Sequence, residues 1–318
     1  MAATRRRGRL PRSVLALPSW AWYLLFFVVP LSVIGWYSLG YKPPVTAGKA
    51  IGLDRLSFDN YADTVSDTFL DTFTATMRTS ITGTVLCLLA GFPIAYHLAT
   101  RVSPRWRGLL LGLVIVPFWT SFLLRTFAWR IILSPNGVVS TTLQDWHVLG
   151  GPIDILDTRS AVQLGVLYNY LPLMIFPLFV ALDRLDPALR EASKDLGAGR
   201  WRTFTQVTLP LAAPGMVAGL LLVFIPLSGE YVTPSILGGA KGLMAGNLVA
   251  SQFFSAQNWA LGSAMAIVLI GLILAAIVVF GAAGLLLREV ARRRRRVDVP
   301  DGPAAPAAAR PVAAGVPA

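Results

Sequence analysis

Charge is scarce in this chain. Only 14% of its 318 residues are Asp, Glu, Lys or Arg, whereas 55% are hydrophobic. A water-soluble domain carries charge on about a quarter of its residues, so soluble-enzyme, coiled-coil and disordered-protein readings are excluded. The mean hydropathy of +0.62 makes lipid part of the natural solvent. Cysteine and histidine are almost missing. The single cysteine, Cys87, cannot form an intramolecular disulfide and carries no information on redox compartment. Together with His97 and His147 it falls short of a dedicated His/Cys metal centre. No phosphate-cradling Gly-x-x-x-x-Gly-Lys-Ser/Thr loop occurs. Lys241 lies in Gly-Gly-Ala-Lys-Gly, without the spacing or the following hydroxyl. No ATP-hydrolysing centre and no cofactor of its own are therefore expected.

What is abundant is apolar length. A helix needs about 20 residues to cross the hydrocarbon, and six runs qualify: 20–41, 80–99, 109–133, 161–182, 211–237 and 261–287. The first follows a basic head (Arg5, Arg6, Arg7, Arg9, Arg12). It is too long for an apolar signal core of about 7–15 residues and lacks a small-x-small cleavage site. It reads as a retained span. The expected class is all-α, a polytopic membrane protein with six transmembrane helices. Its expected divisions are a basic head (1–19), the membrane domain (20–287) and a basic then Pro/Ala-rich disordered tail (288–318), with an outer loop at 42–79.

Basic residues orient the spans. Nineteen of the 28 fall in the head, in the second and fourth connections and just after the last span. By the positive-inside bias those segments, and both termini, are cytoplasmic. The excess of +12 is thereby read as a membrane-face signature rather than a nucleic-acid footprint. Asp59, Asp63, Asp67 and Asp71 recur every four residues in the outer loop, which on one helix would form an acidic stripe. Two readings fit it, a solvated face or a collar for cations or for a binding protein. Five of the six spans hold prolines, consistent with ordinary kinks or with helices bending around a wet path.

The cytoplasmic segment 183–210 reads as helix, glycine, helix. Asp186-Pro187 is a helix start, Gly197 a stop, and a second short helix is expected over 200–207. Its pattern is Glu191-Ala192-Ser193, three residues, Gly197, nine residues, then Val207-Thr208-Leu209-Pro210. This resembles the Glu-Ala-Ala (EAA) motif of ABC importer permeases, with Ser193 and Val207 as small departures. Pro117 to Ser121 with Arg125-Thr126, and Gly229 to Pro234, look like segments of spermidine/putrescine-type permeases. The resemblance covers about 20–287 and implies a type I ABC importer permease fold. It also implies that Glu191, Ala192, Ser193, Gly197, Leu209 and Pro210 couple to a separate ATPase subunit. The implied partners are an ATPase dimer, a second homologous permease and an extracytoplasmic solute-binding protein. Nucleic acid is not among them. A polyamine is the expected solute, with opines, phosphonates, sulfur compounds and metal–ligand species as alternatives. A self-sufficient secondary carrier and a membrane-embedded enzyme are the competing classes. The first would need internal repeats, the second convergent acids or bases at depth.

Glu230 is the sole acidic residue in the six spans. A carboxylate at membrane depth is costly unless paired or wet, so it is a functional candidate. A polyamine has ammonium groups on an apolar stem, which suits a carboxylate flanked by aromatic faces. Tyr231, Trp119, Phe118, Tyr168 and Tyr170 could offer faces, and Asn169 an amide. The structural alternative for Glu230 is an ion pair with Arg125. For the aromatics it is anchoring at the membrane interface.

Overall fold

The computed structural model describes residues 12–294 apart from 45, 47 and 149, with the side chains of 12–16 and 283–294 left out of the description. Of the expected basic head (1–19) and tail (288–318), residues 1–11 and 295–318 lie outside the described residues, while 12–19 and 288–294 are helical. Among the described residues no strand forms; one isolated bridge pairs Tyr41 with Gly52. The chain divides into two units, Met1–Ile273 and Leu274–Ala318.

Within the first unit, α1 (Arg12–Tyr23) and α2 (Val29–Tyr37) are joined by a π-helical turn, Leu24–Val28. The wide turn lies just ahead of Pro30, whose missing N–H cannot continue the ordinary ladder. This first span, Leu17–Tyr37, buries none of its side chains. A short α3 (Asp59–Thr64) and a 34-residue α4 (Asp67–Thr100) follow. The outer loop is thus shorter than expected, because α4 absorbs its last thirteen residues. The acidic stripe is corrected too. The backbone breaks at Val65 and Ser66, so Asp59 and Asp63 sit on α3 while Asp67 and Asp71 sit on α4, all four exposed.

The third span is not one helix. α5 (Pro104–Trp119) and α6 (Phe122–Ile132) meet at an 88° bend. Pro117 lies beside the break, where its ring and missing N–H interrupt the ladder. α7 (Val138–Asp145) is a short surface helix. α8 (Arg159–Asp183) starts from Thr158, whose hydroxyl accepts the Ala161 N–H at 3.3 Å. α9 (Pro187–Asp195) is followed by α10 (Arg200–Thr203), which runs through a second π-helical turn, Phe204–Thr208, into α11 (Leu209–Ser228). The expected separate helix over 200–207 is therefore the first part of the fifth span, Arg200–Ser228. That span stops at Ser228 rather than 237. After a non-helical break a third π-helical turn forms at Pro234–Gly238. α12 (Ala245–Phe254) and α13 (Trp259–Arg294) complete the order. Five stretches can cross a membrane, or six with the bent pair counted as one span.

The core is the seam between α4, α8 and α11. Cys87, Val166, Met174, Leu178, Ala212, Val223 and Leu227 meet there, each fully buried. In lipid such packing depends on small residues that let backbones approach and on polar side chains that cross between helices. A Cβ on Gly215 would lie 2.3 Å from Ala181 Cβ and 2.6 Å from the Pro177 carbonyl oxygen, so α8 and α11 touch through bare backbone. The Gln163 amide nitrogen donates to the Thr79 carbonyl at 3.0 Å and to the Thr82 hydroxyl, tying α8 to α4. Arg107 and Asp183 pair at 2.5 Å where α5 starts and α8 ends. We predict that Gly215→Val destabilises the protein by about 1–3 kcal/mol through overpacking of this seam. The check is a lower melting midpoint in detergent; an unchanged midpoint would remove Gly215 from the core contact.

Candidate functional site

Glu230 occupies the break between α11 and the helical turn that follows. The local reason is the sequence Ser-Gly-Glu-Tyr: Gly229 ends the ladder, and Glu230 has non-helical backbone. Its side chain is only 7% exposed. One carboxylate oxygen, Oε1, accepts the N–H groups of Val232 at 3.0 Å and Thr233 at 3.2 Å, capping the new helical start. The other, Oε2, accepts the Tyr170 hydroxyl from the middle of α8. Three donors thus hold the buried charge, which hydrocarbon alone would not tolerate.

The ion pair with Arg125 does not form. Among the described residues the ion pairs are Arg107–Asp183 and Arg130–Asp157. Arg125, on α6 and 8% exposed, has its guanidinium carbon 5.2 Å from the Phe118 ring centre and 5.7 Å from that of Phe122. The aromatic face of Phe118 is therefore filled by the protein's own cation. Phe122 in turn meets Tyr170 edge-on, with ring centres 6.4 Å apart. A continuous cluster runs from Arg125 through Phe122 and Tyr170 to Glu230, built by α6, α8 and the break after α11.

The other sequence candidates divide. Asn169 is buried and donates to the Thr126 hydroxyl at 3.3 Å, which leaves its amide oxygen without a partner. Tyr168 packs edge-on against Trp129 at 5.4 Å, outside the cluster. Tyr231 is exposed, and its carbonyl accepts the Asn247 amide at 2.9 Å. Trp119 stands at the α5/α6 bend with 84% of its surface exposed and shares no ring contact with the cluster. Phe122, Thr126 and Asn247 were missed. The available signal was Thr120-Ser121 after Pro117, two residues that favour a new helix start and would have marked the break beside Phe122.

At the other candidate region the Asp186 carboxylate accepts the Ala188 N–H at 2.9 Å and caps α9. Gly197 has φ +79° and turns the chain out of α9, its N–H donating to the Lys194 carbonyl at 2.8 Å. The Ser193 and Thr203 hydroxyls bond at 3.1 Å across the turn. Glu191 and Ala192 are exposed; Leu209 is half-buried and Pro210 exposed at the start of α11. Leu196 (89% exposed) and Trp201 (76% exposed) project beside the turn. Behind them Phe204 stacks on Trp201 and meets Phe92 and Tyr96 of α4 edge-on, with centres 5.6 and 6.1 Å away. The exposed element is therefore mechanically joined to two spans.

The fold is a helical membrane domain with a broken third span and a bent exposed element before the fifth. Residues 88–293 match the family described as binding-protein-dependent transport system inner membrane component, and the chain belongs to it. The chain is 39% identical over 234 residues to the spermidine/putrescine transport system permease protein PotB of Haemophilus influenzae, covering 74% of this chain and 82% of that one. It is 35% identical over 248 residues to PotB of Escherichia coli, covering 78% and 88%. Its fold is that of a chain in a crystal structure of a bacterial ABC transporter involved in the import of the acidic polysaccharide alginate. That match has a TM-score of 0.64 at 18% identity and covers 88% of this chain and 94% of the other. The protein is a multi-pass inner-membrane permease of an ABC importer.

Tyr170→Phe takes one donor from a buried carboxylate and is expected to destabilise the protein by about 1–3 kcal/mol. The melting midpoint in detergent should fall, and Glu230→Gln in the Tyr170→Phe background should recover part of the loss by removing the charge. Additive losses would show that the two groups do not interact.

Proposed function

We propose that this chain is one of two permease subunits enclosing the path of an ATP-driven importer for a small cationic solute, most specifically a polyamine such as spermidine or putrescine. The observation carrying this reading is the 39% identity to a spermidine/putrescine permease across 82% of that protein's length. Glu230 supplies the negative charge at depth, with Tyr170 fixing its orientation and Asn169 offering a free amide oxygen. An ammonium group approaching the cluster would compete with the Tyr170 hydroxyl for Oε2. A loaded extracytoplasmic binding protein delivers the solute, and both termini lie in the cytoplasm. The chain performs no catalysis and binds no cofactor; a partner subunit hydrolyses ATP.

Coupling runs through the element around Gly197. Leu196 and Trp201 are the two most exposed of its large apolar side chains, and they insert into the ATPase subunit. Phe204 carries the motion to Phe92 and Tyr96 on α4, while the continuous helix from Arg200 carries it to α11. ATP binding then shifts the population of inward- and outward-open states through the differential energy of this contact.

Two outcomes test the reading in proteoliposomes holding the whole importer. Leu196→Ala with Trp201→Ala removes solvent-exposed side chains, so the melting midpoint of the permease should stay unchanged. Recovery of the ATPase subunit should fall about tenfold, as for loss of an interface anchor; full recovery would sink the docking assignment. Glu230→Gln is expected to reduce putrescine or spermidine uptake at least about tenfold with the complex intact, reflecting loss of a desolvated charge partner. Equal uptake by the variant would confine Glu230 to its capping role.

A further inference from the structure

Where α4 ends and α5 begins, the chain gathers positive charge. Arg101 lies two residues before Ser103, the cap of α5; Arg105 lies two residues after it, and Arg107 two further on. Arg107 is matched within the protein: its Nε donates to the Val102 carbonyl at 2.9 Å and its Nη1 pairs with Asp183. Arg101 and Arg105 are exposed and belong to neither ion pair of the described residues. No acidic residue occurs anywhere in 72–144, so neither α5 nor the membrane part of α4 offers them a carboxylate. Arg105 instead lies over the exposed ring of Trp106, with its guanidinium carbon 5.8 Å from the ring centre. The positive end of the α5 dipole adds to the same spot. Farther along α5, Leu110, Leu111 and Val114 pack inward on the core, whereas Trp106, Leu109, Leu113 and Val116 line the opposite, exposed face. Gly108 and Gly112, one turn apart, form a flat strip beside that face: a Cβ on either would meet nothing within 4 Å. Glycine weakens a helix interior, and no neighbour in this chain requires these two, in contrast to Gly215 in the packed seam.

We propose that this face of α5 seats an anionic phospholipid, its phosphate held by Arg101 and Arg105 and one acyl chain lying over Gly108 and Gly112 against Leu109 and Leu113. Guanidinium forks match phosphate oxygens, and a helix start favours an anion further. Trp106 sets the level of the headgroup, because an indole at the head of an apolar stripe belongs at the boundary between lipid and water. Basic clusters at such a boundary are the usual seat of acidic headgroups. The spacing of the two glycines would also admit a second helix, but the two unmatched cations at the head of the strip favour a phosphate. At this same end Arg107 fastens α5 to α8 through Asp183, so the bound lipid braces the first half of the broken third span.

The experiment uses the whole importer, purified through a tag on this chain and equilibrated with mixed micelles of phosphatidylcholine and phosphatidylglycerol. Native mass spectrometry then reads how much phosphatidylglycerol stays bound. The wild-type complex should retain it in preference to phosphatidylcholine. Arg101→Gln with Arg105→Gln should lower retention at least about tenfold, since each arginine beside an acidic headgroup is worth about a fivefold gain in affinity. Both side chains are exposed, so the melting midpoint should not move. Lys49→Gln with Arg55→Gln removes the same charge from the exposed outer loop and should leave retention unchanged. Gly108→Leu with Gly112→Leu fills the strip while keeping both arginines, and should lower retention about as far as the arginine changes do. Equal retention by the wild type and the Arg101/Arg105 variant overturns the proposal, as does an equal fall in the Lys49/Arg55 control, which would reduce the effect to net charge. Full retention after filling the strip overturns the seat for the acyl chain. A melting midpoint lowered by the glycine changes, or crosslinking of Leu113→Cys to another polypeptide of the importer, would give the face to a protein helix and overturn the proposal as well.

Discussion

Hydrocarbon offers no hydrogen bonds, and that constraint shapes the breaks within the membrane spans. Wherever a span breaks, the freed backbone groups must be met from within the protein. After α11 the break is met by Glu230, whose carboxylate accepts two amides of the next helical turn and one hydroxyl from α8. One residue therefore closes a backbone gap and fixes two elements to each other. It also leaves a full negative charge at membrane depth that the surrounding donors stabilise.

The bend in the third span follows the same logic with a different solution. Pro117 interrupts α5, and the Thr120 N–H and hydroxyl both return to the Pro117 carbonyl, at 3.2 and 2.7 Å. The chain then restarts as α6, almost perpendicular to α5. This turn carries Phe122 against Tyr170 and sets Arg125 between two phenyl rings. Had the span been straight, Phe118 and Phe122 would lie four residues apart on one helical face. The aromatic clamp thus comes from the restart, and it links the guanidinium to Glu230 only through Phe122 and Tyr170.

Much of the organisation was legible in the sequence because it follows from composition and local spacing. Apolar runs need lipid whatever their neighbours, Asp186-Pro187 caps a helix by its own side chain, and Gly197 accepts a φ that other residues resist. The bend between α9 and α10 is likewise local, since the Asp186 cap and the positive φ of Gly197 are set within a dozen residues. Element boundaries were less legible. Hydropathy treats 109–133 and 211–237 as uninterrupted, although each contains a break. The reason is that apolar side chains on both sides of a kink look the same as those of a straight helix. The acidic stripe failed for a related reason: a four-residue spacing assumes one helix, and Val65 with Ser66 divides it into two.

From its residues alone the chain was bound to be a membrane-spanning protein with a glycine-bent element between two spans. Those traits depend on the balance of apolar and charged atoms and on single-residue backbone preferences. Which polar groups meet inside the membrane was decided only in three dimensions. Glu230 and Tyr170 are sixty positions apart, and either could have found another partner along the chain. It took the close seam of α4, α8 and α11 to give the carboxylate three donors, and the near-right-angle turn at Trp119 to set the arginine between two phenyl rings. Long-range pairing depends on how helices pack, and packing depends on all of their surfaces at once.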